Sequence, residues 1–245
     1  MAERDDFYVG YLPAPRAHRR LLRIAIPGLL WLGAILSVIV VWQMRDPGGA
    51  VWEDARARTW EGAIRLIPYP ALEVVEDGAT TTYLLVEMGK FGAERAGAFE
   101  NKRVRIDGYL LRRDGRRIIE LDPADTAITA LGDAPGAAAP RELGAVTIRG
   151  EIVDTKCFLG AMKPGDGKAH KACAELCVAG GIPPTLISIA PDGSRRYHLL
   201  IGPDGGPAGE LVAGLLADPV EVRGMEMDRA GLRLLRLDGP GAIRR

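Results

Sequence analysis

At 245 residues the chain has room for one large domain or two small ones, each able to bury a core. Lys+Arg and Asp+Glu are both 32, and this balance excludes a surface that holds nucleic acid or anionic lipid by bulk charge alone. The 31 glycines and 17 prolines favour short strands with many turns over a helical bundle.

Residues 24–42, IAIPGLLWLGAILSVIVVW, contain no charged side chain. At about 1.5 Å per residue such a run approaches the roughly 30 Å of a bilayer core. A transmembrane helix is therefore predicted over residues 24–44, with Pro27 in its first turn, where a helix tolerates proline. Trp31 and Trp42 are placed toward the two interfaces. Arg16, Arg19, Arg20 and Arg23 precede the span, whereas Arg45 after it is offset by Asp46, Glu53 and Asp54. This bias puts residues 1–23 in the cytoplasm and the bulk of the chain outside, as in a single-pass protein of the bacterial inner membrane facing the periplasm. The alternative is a cleaved signal peptide, with Gly48 and Ala50 as a small-residue cleavage site. Against it, the apolar run exceeds the roughly 7–15 residues of a signal h-region. His18 is read as part of the cationic cluster.

An internal repeat follows. IPYPALEVVEDGATTTYLL (67–85) and IPPTLISIAPDGSRRYHLL (182–200) align at an offset of 115. VRIDGYLLRRDGRRIIELD (104–122) and VEVRGMEMDRAGLRLLRLD (220–238) align at 116. Each copy reads as three strands, a helix and two strands. In the first copy the strands are predicted at 60–67, 71–75, 81–88, 103–111 and 117–121, with a helix near 93–99. Asp77-Gly78 and Asp114-Gly115 supply the hairpin turns. The second copy has its helix near 208–216. Five strands with a helix before the fourth is the order of an OB-type barrel. The predicted organisation is mainly β: a first OB-like domain at 52–128, a Gly/Pro/Ala linker at 129–144 and a second OB-like domain at 145–240.

The copies differ at one place. Gly62 precedes Tyr83 by 21 residues, while the corresponding Gly150 precedes His198 by 48, so the second copy carries 27 more. The insertion is placed at 155–181, and it holds Cys157, Cys173 and Cys177, the only cysteines, together with His170. Its second half, KAHKACAELCVAGG, reads as a short helix stopped by Gly180 and Gly181. On such a helix His170, Cys173 and Cys177 share one face, and the glycine-rich turn before it lets Cys157 fold back over that face.

Three thiols and an imidazole suit a tetrahedral zinc site or a soft copper(I) site, with Met162 as a further sulfur donor. A disulfide from Cys157 to Cys173 or Cys177 is the structural alternative outside the cytoplasm, and thiol exchange is a third. The spacing lacks the signatures of c-type haem attachment and of Rieske or other Fe–S ligation. His198, at the position of Tyr83, is read as packing or hydrogen-bonding within a strand. Arg112, Arg113, Arg116 and Arg117 bracket a hairpin turn and are read as a solvated face, or as a docking patch for an acidic partner. Neutral charge and few aromatics argue against single-stranded nucleic acid. The sequence offers no constellation of catalytic residues.

The stretch CFLGAMKPGDGKAHKACAELCVAGGIPPTLI (157–187) resembles a motif of uncharacterised bacterial exported proteins: a cysteine, a glycine-rich turn, His-x-x-Cys-Ala-x-x-Cys, then Gly-x-Pro and an apolar strand. The opening DDFYVGYLPAPRAHRRLLR (5–23) is similar to leaders of membrane-anchored proteins associated with respiratory or molybdenum-enzyme clusters. The resemblance implies Cys157, His170, Cys173 and Cys177 as the motif and periplasmic or membrane redox proteins as partners. The expectation is thus a non-catalytic accessory subunit of a membrane redox complex. A periplasmic copper- or zinc-binding, or thiol-disulfide handling, protein is the alternative.

Overall fold

The computed structural model describes residues 16–43, 49–137, 139–239 and 241–245, with residues 16 and 17 by backbone alone. Most of the expected cytoplasmic arm, the end of the expected span with Arg45, Asp46 and Gly48, and one position of the expected linker lie outside the described residues. The chain divides into an N-terminal unit and a second unit from Pro47 onward.

In the first unit, α1 (Arg16–Gln43) has 28 residues, or about 42 Å at 1.5 Å each. From His18 to Gln43 it is long and apolar enough to cross a membrane, a test that a signal sequence also meets. The helix starts well before residue 24, so Pro27 is not in its first turn but in its interior. There it lacks the N–H that would bond the Arg23 carbonyl.

The second unit holds two closed five-stranded barrels. The first comprises β1 (Val51–Leu66), β2 (Pro70–Glu76), β3 (Ala79–Val86), β4 (Lys102–Arg113) and β5 (Arg116–Leu121). Its hydrogen-bonded order is β1-β2-β3-β5-β4, closed by β4 on β1, with β3 and β5 parallel. β7 (Arg141–Asp154), β8 (Pro184–Ile189), β9 (Arg195–Ile201), β10 (Pro219–Arg229) and β11 (Leu232–Leu237) repeat that order. The expected helices are slight: a 3₁₀ turn at Glu94–Phe99 and a single turn at Gly209–Val212. Residues 129–133, expected in the linker, belong to β6 (Ile128–Asp133), which pairs with β4; β12 (Ile243–Arg244) pairs with β10 in the same way. The exposed edge of the fourth strand is thereby satisfied in both barrels.

Glycines recur where first and fourth strands pass close to a neighbour. A Cβ on Gly62 would lie 2.4 Å from the Glu73 carbonyl oxygen, and on its counterpart Gly150 2.1 Å from that of Ile187. Gly108 and Gly224 are equally tight. These are the bends that let a twisted sheet close on itself.

β3, β5, β9 and β11 are buried on both faces toward their C-terminal ends, and alternation sorts their residues between two cores. Tyr83, Leu85, Ile119 and Leu121 fill the first barrel. Leu200, Leu235 and Leu237 fill the second. The opposite faces, Leu84, Val86 and Ile118 with Leu199, Ile201 and Leu234, form a third core shared by both barrels. Leu84/Leu199, Val86/Ile201 and Ile118/Leu234 are repeat equivalents, so each barrel offers the same face to the other.

The hairpin rich in arginine lies at this junction, and its expected solvated face is only partly so. Arg113 is 4% exposed, stacks 4.0 Å over the Phe158 ring and donates to the Phe158 carbonyl at 3.1 Å. Arg112 pairs with Glu53.

Candidate metal centre

Between β1 and β2 the chain needs only residues 67–69; between β7 and β8 it uses residues 155–183. Asp154, fully buried at the end of β7, ties that segment at two points. Its Oδ1 accepts the Cys157 N–H at 2.8 Å, and its Oδ2 lies 2.9 Å from His170 Nε2. A buried carboxylate requires such partners, and here they fix both ends of the loop.

After Asp154 a tight turn over Cys157–Ala161 buries Cys157, Phe158 and Leu159 in the shared core. α2 (Lys171–Ala179) then starts directly after His170. Cys173 and Cys177 are four residues apart on it, so they rise from one face. Cys157, His170 and Cys177 are buried and Cys173 is half-buried.

The structure brings all four sequence-predicted residues together around Cys157. Ligand atoms of Cys157, His170 and Cys173 lie within 4.8 Å of one another, and so do those of Asp154, Cys157 and Cys177. The arrangement is two overlapping trios rather than a single set of four. All three cysteines are free thiols, with Cys157 and Cys177 Sγ 3.9 Å apart. Met162, at the end of the turn, is 48% exposed.

Two lysines complete the site from the first barrel and toward it. The turn after β3 is closed by the Glu87 N–H on the Phe91 carbonyl, and Gly92 N–H donates to Gly180 O at 2.9 Å. A Cβ on Gly180 would stand 1.9 Å from the Lys90 carbonyl oxygen, so only glycine lets this turn seat on the end of α2. Seated there, Lys90 holds Nζ 2.7 Å from Cys173 Sγ and 3.6 Å from Cys177 Sγ. Lys156 reaches the other way into the first barrel. Its Nζ pairs with the buried Glu120 carboxylate at 2.7 Å and donates to the Glu87 and Gly89 carbonyls at 2.8 and 2.7 Å, fixing the turn that carries Lys90.

This environment separates the thiols. The Cys157 thiol is pushed up, first by its hydrogen bond with Cys177, then by burial and by the Asp154 charge. Cys177 is lowered to about 7 by the same Cys157 contact, helped by the Lys90 ammonium. The Cys173 sulfur in turn raises Lys90.

Sequence reasoning missed Asp154, Lys90 and Lys156. Asp154 had a readable signal: aligned through Gly62 and Gly150, its counterpart in the first copy is Leu66. Lys90 had none, being 83 residues from Cys173 in the chain. His198 stands apart from this group, on β9, with Nε2 3.2 Å from Glu226 Oε1.

Against protein-family models, curated proteins and solved structures the chain gives no match. The sulfur spacing bears on two chemistries. A tetrahedral ion with sulfur ligands at about 2.3 Å holds its sulfurs about 3.8 Å apart. A disulfide holds them at about 2.05 Å. The 3.9 Å between Cys157 and Cys177 is beyond a disulfide and is compatible with a shared ion as well as with two thiols in contact.

Proposed function

We propose that this chain is a membrane-anchored metal-binding module, with Cys157, His170, Cys173 and Cys177 as ligands of a zinc-type ion. The observation that carries this reading is the convergence of three thiols and an imidazole in two overlapping trios around Cys157, with Cys157 and Cys177 too far apart for a disulfide. Two features support it. His170 gives Nε2 to a buried carboxylate, the partner that orients a metal-bound imidazole and leaves the other nitrogen for the ion. Three thiolates around a divalent cation carry one net negative charge, and the Lys90 ammonium offsets it. With the Asp154 carboxylate counted, a divalent ion leaves one negative charge in this buried place and copper(I) leaves two, which favours zinc.

In this reading each barrel is OB-like, from its strand order and the helical turn before its fourth strand, and residues 155–181 are an insertion in the second. α1 is the anchor, with Arg19, Arg20 and Arg23 on the cytoplasmic side and the barrels in the periplasm. The chain serves as a non-catalytic accessory subunit of a membrane redox complex.

Elemental analysis of the full chain purified without chelator, beside a free-thiol count, tests the metal. One zinc per chain is expected, lost in Cys177→Ser; no metal with a single free thiol would replace this reading by a Cys157–Cys177 disulfide. Protease added outside intact spheroplasts should digest the barrels and spare a small N-terminal fragment. Gentle solubilisation should copurify other membrane redox proteins, and a solitary monomer would count against the subunit role.

A further inference from the structure

A second candidate site lies where the barrels meet, on the side of the equivalent hairpin turns. The β4–β5 turn of one barrel and the β10–β11 turn of the other reach across to each other. Arg116 Nη1 donates to the Gly231 carbonyl at 2.9 Å, and Asp114 Oδ2 accepts the Tyr197 hydroxyl at 2.6 Å. Between them is a groove of about 370 Å³, within the range of small-molecule sites, which favour such junctions.

Its lining has two characters. Leu84, Ile118, Leu159 and Leu199 give an apolar floor, joined by the buried hydroxyls of Thr155 and Thr185. Thr155 donates to the Pro183 carbonyl at 2.6 Å, so Thr185 must donate to Thr155 across their 2.7 Å contact. Both hydroxyl protons are thereby used, and the floor offers an entering group no free hydroxyl donor.

The rim is cationic. Arg116, Arg117 and Arg233 border the groove, and an adjoining hollow of about 430 Å³ shares Arg116 and Arg233 and adds Arg195 and Arg196. Five arginines face two glutamates, Glu76 and Glu226, across the two linings, with Asp114 and Asp228 pairing with Arg195 and Arg233 from beside them. Among the described residues Arg116 and Arg196 have no ion-pair partner, in a chain whose overall charge is zero. Guanidinium groups around an apolar recess suit one kind of occupant, an anionic head on a compact apolar body.

We propose that the groove between the barrels binds a small organic anion, its carboxylate, phosphate or sulfonate head held by Arg116, Arg233 and Arg196 and its apolar body on Leu84, Ile118 and Leu199. A polyanionic strand or an acidic peptide would use the rim and leave the recess empty.

Titration calorimetry of the full chain in a non-ionic detergent against phenylphosphonate reads this site. One saturable site is expected, at least fivefold tighter than inorganic phosphate or uncharged benzamide. Arg116→Gln combined with Arg233→Gln should weaken it at least tenfold, while Arg149→Gln, whose partner Glu221 is elsewhere on the second barrel, should leave it unchanged. Arg116 and Arg233 also make structural bonds, so exposed Arg196→Gln is the second variant, expected about threefold weaker at an unaltered melting temperature. Absence of saturable binding, equal affinity for phosphate alone, variants that bind like the parent, or preference for hexaglutamate over phenylphosphonate would each overturn the proposal.

Discussion

Asp154 shows how much one side chain can settle. It holds the Cys157 amide with one oxygen and the His170 ring with the other, and an amide in its place would keep only one acceptor and no charge. Asp154→Asn is expected to weaken zinc binding by roughly 10–100-fold, the usual cost of losing a partner that orients a ligand, as read by competition with a chromophoric chelator. An unchanged affinity would remove Asp154 from the site. His198 supplies a pH dependence. Burial lowers its pKa below the ordinary 6.5, against the opposing pull of Glu226 and with Arg233 and Arg196 nearby. The unfolded chain thus takes up the proton first, and stability is full above about pH 6.5 and falls as pH drops below it. His198→Gln should flatten that slope in denaturation measured between pH 7 and 5; an unaltered slope would assign it to another group. The grouping of the three cysteines with His170 was legible because cysteine is scarce and confined to one stretch. Asp154 and Lys90 were not, since a carboxylate at a strand end and a lysine in a distant turn look ordinary until the chain closes.

At the scale of elements, the repeat was readable because strand alternation and Asp-Gly turns recur at fixed offsets, and the closed barrels bear it out. Burial on both faces of β3 and β9 did have a signal, since YLLV and YHLLI are near-continuous apolar runs rather than the alternation of a strand with one covered face, but what covers the second face was not readable. The length of β1 was also missed. It pairs with β4 on both sides of an irregularity between Glu53 and Arg58, a polar stretch without apolar alternation. The contact of α2 with the Lys90 turn depends on Gly180, where a methyl group has nowhere to go. Gly180→Ala is expected to cost about 1–3 kcal/mol, as overpacking does, seen as a lowered melting temperature. Gly97→Ala, into open space, should change stability by less than about 0.5 kcal/mol. Equal effects of the two would show that the seating is loose.

The unit from Pro47 onward is held by three cores, one of them shared by both barrels. Composition told where the connection runs but carries no trace of what its ends pack against. Lys156 and Glu120 join the barrels through a buried ion pair. Lys156→Met strands a carboxylate and should cost about 3–5 kcal/mol, whereas Lys156→Met with Glu120→Leu should recover most of that loss, both measured by urea unfolding. A single variant as stable as the parent would mean that water reaches Glu120. The face that each barrel turns to the other is built from equivalent residues, as in the isologous contact of a two-fold homodimer. Fusion of two copies of a self-associating single-barrel ancestor would leave this trace. In such a history the sulfur-bearing loop is the mark by which formerly interchangeable halves took up separate duties.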